Sequence, residues 1–262
     1  MTETVSSAVD HILDSELDTM PLELLVPEAR AGTEQANLGV INGRSMIVSA
    51  PSMKPVQTQD ATLSQWFAER RANHDLGVKY GTPGVDNSID HPEEFFKIVT
   101  NELQKMGWLI PGFDQTDLKS SGGGNSVSQY VYRALNQIAA GSEGYVKSAV
   151  DGVRAWADDS NKVSSQLFTR KSVPLRKVAK QIGYAANDRD GTLTYSLSFF
   201  FFDGEKAVTD WLVFSLRDIQ FRLWSYLGAA KLPGGSLDKP IHDALVSKYD
   251  QHGKGDIDSG AI

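Results

Sequence analysis

The sequence predicts an α+β protein: a central helical region of four to five helices packed on a C-terminal antiparallel sheet, with a small N-terminal hairpin. Three observations predict it. Apolar residues recur at three- and four-residue spacing through the middle of the chain. The stretch TLTYSLSFFFFDGEKAVTDWLVFSLRDIQFRLWSYL, residues 192–227, is dense in aromatic and β-branched residues and alternates in places. Near the N-terminus, Asn42-Gly43 sits between two apolar runs, and that pair supplies the positive φ angles of a two-residue hairpin turn.

In chain order, the first segment places Val5, Val9, Ile12 and Leu13 at helical spacing, as a short amphipathic arm or a free tail would. Leu38–Ile41 pairs with Ser45–Val48 across the Asn-Gly turn, and the proline-containing run SAPSMKPVQTQD reads as a connector. A helix is expected over 62–74, with Leu63, Trp66, Phe67 and Arg70 on one side. Another is expected in HPEEFFKIVTNELQKM, opened by Asp90 with Glu93 as a capping box and closed by Gly107. Two more, 126–140 and 143–159 with Ser142 as its cap, carry apolar stripes through Val127, Tyr130, Val131 and Leu135, and through Tyr145, Val146, Val153 and Trp156, and would form a helical hairpin. Ser172, Pro174 and Gly183 frame a fifth, short helix in SVPLRKVAKQIG.

The aromatic stretch that follows is read as a three-stranded antiparallel meander with its first turn at Asp203-Gly204. Residues 208–227 also fit helical spacing, and strands are preferred there. Asp238 opens a last helix, KPIHDALVSKY, and QHGKGDIDSGAI has the composition of a tail. The expected organisation is an N-terminal arm over 1–35, a single domain over 36–250, and a tail over 251–262.

With 262 residues, 40% of them hydrophobic, the chain can bury a sizeable core. It has no cysteine, which excludes disulfides, thiolate metal sites and cysteine nucleophiles. The first twenty residues carry acids and no Lys or Arg, so no secretory signal is read and synthesis in the cytoplasm is expected. No window of about 18 apolar residues is uninterrupted by charge, so no transmembrane helix is expected.

Candidate chemistry is thin. His11, His74, His91 and His242 each adjoin an aspartate, but there is no His-Glu-x-x-His and no close histidine pair, so no metal site is assigned. The glycine run 122–124 lacks the Gly-Lys-Ser/Thr of a phosphate-binding loop, and no Gly-x-Ser-x-Gly elbow occurs. No cofactor is implied and no catalytic residue is named.

The most informative charge feature is a basic block. Lys162, Arg170, Lys171, Arg176, Lys177 and Lys180 stand between Asp159 and Asp188 with no acid among them, in a chain of net charge −7. Arg170, Lys171, Arg176, Lys177 and Lys180 are therefore candidate contacts for a polyanion, either nucleic acid or anionic lipid. Phe199, Phe200, Phe201, Phe202, Trp211 and Trp224 form the aromatic platform, whose two faces both need covering by core, by another copy or by lipid.

Three functional classes fit. The first is a non-catalytic, self-assembling structural protein, capsid- or filament-like, whose copies meet as a homo-oligomer through the aromatic sheet while the basic block faces a polyanion. The second is a secreted or injected membrane-active toxin. The third is a hydrolase whose site leaves no trace in sequence.

Overall fold

The chain is described by a computed structural model over residues 3–18, 37–41, 45–50, 53–120, 175–208, 221–252 and 257–261. The expected helices over 126–140 and 143–159 lie outside the described residues, as does the stretch 209–220. The fold is α+β, with four helices and one seven-stranded sheet among the described residues. The strands are β1 (Asn37–Ile41), β2 (Ser45–Ser49), β3 (Phe113–Ser120), β4 (Leu175–Asn187), β5 (Leu193–Val208), β6 (Phe221–Leu232) and β7 (Ile257–Ala261). Their order across the sheet is β3-β6-β5-β4-β2-β1-β7. All neighbours run antiparallel except β2 and β4, which run parallel.

Helix α1 (Glu3–Asp14) is the amphipathic form of the first segment rather than a free tail: Ile12 and Ala8 are buried in the core. Helix α2 (Pro55–Tyr80) is longer than its apolar pattern predicts and begins inside the supposed connector. Pro55 opens it, where a missing N–H is harmless, and the Gln57 side chain accepts a hydrogen bond from the Lys54 N–H at 3.1 Å. Gly81, at φ 67°, turns the chain out of it. Helix α3 (Pro92–Lys105) is capped at His91, not at the expected Asp90, and no side-chain cap is formed; Gly107 ends the turn that follows. Helix α4 (Lys239–His252) starts after Asp238, whose carbonyl accepts from the N–H groups of Ile241 and His242.

Three sequence expectations are overturned. The segment 172–183 is not a helix: from Leu175 it runs as β4, between β2 and β5, and ladder pairing on both sides outweighs its helical propensity. Asp203-Gly204 is not a turn, because β5 continues through it with Asp203 opposite Arg222 and Gly204 opposite Phe221. The C-terminal tail is not free, because 257–261 pairs with β1 along its whole length.

The helices stack in two layers on one face of the sheet. Helices α2 and α3 lie directly against it. Helices α1 and α4 pack on α2 away from the sheet, where His11 meets Phe67 edge-on and Tyr249 meets Trp66 with ring centroids 5.4 Å apart. Because α2 is enclosed by the sheet and the other helices, it buries polar residues such as Gln57, Asp60, Gln65, Glu69 and Asn73 beside its apolar ones.

Candidate functional site

Strand β5 organises the sheet chemically. Its helix-facing positions are Leu193, Tyr195, Leu197, Phe199 and Phe201, while Thr194, Ser196, Ser198 and Phe200 belong to the other face. The first set is uniformly large and apolar; the second is mostly small hydroxyl residues. Ser196 Oγ accepts from the Tyr184 N–H at 2.7 Å, and the buried Ser198 Oγ has no hydrogen-bond partner among the described residues.

The interface between helices and sheet has two halves. Over β3, β5 and β6 it is aromatic. Phe96 of α3 sits among Phe113, Phe199 and Tyr226, with centroids at 4.5, 4.8 and 4.7 Å, and Phe95 meets Phe199 edge-on. Such ring pairs add roughly 0.5–1.5 kcal/mol each beyond the area they bury.

Over β2 and β4 the interface is polar. Gln65 and Glu69, one turn apart on α2, face Ser45 of β2, Gln181 of β4 and Tyr195 of β5. Gln65 Nε2 donates to Glu69 Oε1 at 2.7 Å and to Gln181 Oε1 at 2.5 Å. Gln181 Nε2 donates to the Tyr195 hydroxyl oxygen at 2.7 Å, and the Ser45 hydroxyl donates to Glu69. All five side chains are buried. Burial, reinforced by the nearby Glu69 carboxylate, pushes the Tyr195 phenol well above its usual range, so it stays protonated.

Tyr195 reaches this position because Gly183 has no side chain: a Cβ there would lie 2.1 Å from the tyrosine ring. Gly183 therefore serves as a slot in a strand, not as a helix stop.

The sequence-selected residues are distributed as follows. Phe199, Phe200 and Phe201 are each 2% exposed, enclosed within one subunit. Core burial is thus the cover the folded chain provides for them. Phe202 and Trp224 hold ladder positions in β5 and β6, Trp224 opposite Phe201; Trp211 lies outside the described residues.

Arg170 and Lys171 also lie outside the described residues. Arg176, Lys177 and Lys180 fall in β4, where the odd spacing of 177 and 180 puts those positions on opposite faces, so the basic block is not one helix face. Lys177 is exposed and paired with Asp90 at 3.2 Å.

The polar half of the interface was not found from sequence. Its one local signal is Gln65 and Glu69 at i,i+4 among buried alanines.

Other polar pairs hold helices together. His242 Nδ1 lies 2.6 Å from the buried Asp60 Oδ1, whose other oxygen accepts from the Leu237 N–H at 3.0 Å. Burial raises the Asp60 pKa, against the lowering effect of those bonds. His11 Nε2 lies 2.6 Å from Glu102 Oε2, joining α1 to α3. Among the described residues neither imidazole is bonded to a serine hydroxyl, and no cluster of three potential metal ligands occurs.

No protein-family model matches the chain, and no curated protein matches it. Among solved structures it is similar to a delta-endotoxin, at 10% identity and TM-score 0.35, over 88% of this chain and 96% of that one. It is also similar to a structure described as the Evf virulence factor, at 10% identity and TM-score 0.36, over 95% of this chain and 90% of that one. Scores this low do not establish a shared fold.

Proposed function

We propose that the chain is a membrane-active protein whose helical layers cover an amphipathic sheet until it meets lipid. The observation that carries this reading is the first part of β5: over 193–201 the large side chains Leu193, Tyr195, Leu197, Phe199 and Phe201 occupy one face, and Thr194, Ser196 and Ser198, with Phe200, the other. A strand needs about 9–11 residues to cross a bilayer when tilted, with apolar positions toward lipid and polar ones toward water. Its antiparallel neighbours β4 and β6 have 13 and 12 residues. No described helix is long and apolar enough to cross a membrane.

Two further features support the same reading. The polar half of the interface can exchange its hydrogen bonds for water, which lowers the barrier to lifting α2 away from the sheet. The hydroxyl of Ser198, buried without a hydrogen-bond partner among the described residues, becomes hydrated if its face turns toward an aqueous lumen. Phe199, Phe200 and Phe201, which the assembly reading would place between copies, are enclosed within one subunit.

The test is release of a trapped dye from vesicles of phosphatidylcholine, with and without phosphatidylglycerol. Release is expected from the native chain. Ser45→Cys with Glu69→Cys, joined by a disulfide or a short thiol cross-linker, fastens α2 to β2 and should abolish release until the link is cut. Intact vesicles of both compositions overturn the reading, and release by the fastened variant overturns the separation of α2 from the sheet.

A further inference from the structure

Residues 15–18 leave the end of α1 and lie against α2. Arg70 Nη1 donates to the Asp18 carbonyl and Arg71 Nη1 to the Glu16 carbonyl, each at 3.0 Å. Asn73 Nδ2 donates to the Asp18 carboxylate, and His74 Nε2 stands 3.3 Å from Glu16 Oε2. Four side chains of one helix thus grip one short segment.

Upstream, the same stretch of chain is anchored elsewhere. In α1, Ala8 and Ile12 are buried, and His11 Nε2 lies 2.6 Å from Glu102 Oε2 of α3, a carboxylate whose side chain is 3% exposed. The Leu13 carbonyl, at the end of α1, accepts from Lys248 Nζ of α4 at 2.9 Å, and Lys248 is buried. Residues 15–18 therefore tie α2 to α1 and, through it, to α3 and α4.

The two ends of this tie differ in strength. The α1 end is shielded from water, and breaking it strips the buried Lys248 amine of its acceptor. At the α2 end the Glu16 side chain is 84% exposed and Leu17 and Asp18 are half-buried, so water can take over each bond. A segment held by exposed hydrogen bonds, with little apolar burial, opens locally at lower cost than the core. The weak joint is the one on α2.

Its place decides what it can do. Helix α3 is seated on the aromatic half of the sheet by Phe95 and Phe96, whereas α2 covers the hydrogen-bonded half. The tie joins the loosely seated helix to the firmly seated one, adding to their direct packing. Helix α2 leaves the sheet by itself only after residues 15–18 let go.

We infer that residues 15–18 form an autoinhibitory clasp on α2, whose opening precedes the separation of α2 from the sheet; this rests on the membrane-active function proposed above. The clasp keeps the chain closed in water and sets the rate at which the sheet is uncovered.

Glu16→Cys with His74→Cys places two thiols across the joint, in a chain with no other cysteine. Joined by a short cleavable thiol cross-linker, this variant is expected to release dye from vesicles of phosphatidylcholine, with or without phosphatidylglycerol, about tenfold more slowly than before linking, and to recover when the link is cut. Arg71→Met removes one grip on the clasp, so release should quicken about fivefold, the effect of one ordinary hydrogen bond. Arg71 also pairs with Asp75 within α2 at 2.7 Å, and Asp75→Asn, which removes that pair alone, should leave the rate unchanged. Where the native chain releases dye, equal rates before and after linking overturn the clasp and leave the membrane function standing. Release by Arg71→Met no faster than native, or an equal gain from Asp75→Asn, does the same. No release by the native chain from either vesicle overturns both.

Discussion

The two halves of the helix–sheet interface are held by different physics, although the helices that cover them, α3 and α2, pack side by side. Under α3, the rings of Phe95, Phe96, Phe113, Phe199 and Tyr226 exclude water and gain nothing from it. Under α2, Ser45, Gln65, Glu69, Gln181 and Tyr195 are joined by hydrogen bonds that water could replace. The difference teaches where the cover is fastened. Aromatic packing supplies most of the adhesion, and the hydrogen-bonded half supplies register at small net stability.

Phe96→Ala gives the sharpest break of this contrast. It removes a ring touching three others and is expected to destabilise the chain by about 4 kcal/mol in chemical denaturation. A loss no larger than that from Gln65→Ala would erase the distinction between the halves. Next in size is Gly183→Ala, where the added methyl meets the Tyr195 ring. The strand or the ring must shift, at about 3 kcal/mol, and Tyr195→Phe in the same background should restore little, since the ring itself is the obstacle.

A double-mutant cycle on Gln65→Ala and Gln181→Ala sharpens the polar half further. The expected coupling is about 1 kcal/mol, and a value near that of an aromatic core pair with all its burial would contradict the assignment. Asp60→Asn should have the smallest effect, visible as a pH dependence. Burial raises the folded-state pKa of Asp60 above its usual 3.8, so folding favours its protonated form. Its contribution to stability is fully present below 3.8 and declines as pH rises through the folded value. The native chain should therefore lose ground to the Asn variant between pH 4 and pH 7, measured as the gap between their denaturant midpoints, about pH 4 and pH 7 being the acid and neutral ends of the carboxylate range.

Much of the architecture was legible from local pattern. Asn42-Gly43 located the β1–β2 hairpin, Asp90 through Gly107 bounded α3 to within about two residues, and the residues from Thr194 to Phe202 were recognisably a strand. Local signals misled where long-range pairing decided the outcome. Pro174 and Gly183 frame a helix convincingly in sequence, yet β2 and β5 draw the same residues into β4. Asp203-Gly204 has turn chemistry, but Arg222 and Phe221 opposite keep it extended. The polar cluster was illegible for a simpler reason: Gln65 and Gln181 are 116 residues apart, and nothing near either announces the other. The exposure of Val78 and Val85 was equally hidden, since both look like ordinary core valines in the sequence.

The pairing of β7 with β1 sets a timetable for folding. Asn37 faces Ala261 across that ladder, so the loop to be closed spans most of the polypeptide and the contact belongs among the slow, nonlocal ones. Until it forms, the outer rim of β1 offers bare amide and carbonyl groups to any strand of matching length, including the 257–261 segment of a second molecule. Dilute refolding should therefore favour the closed single chain, whereas refolding at high concentration invites exchange of that final strand between molecules.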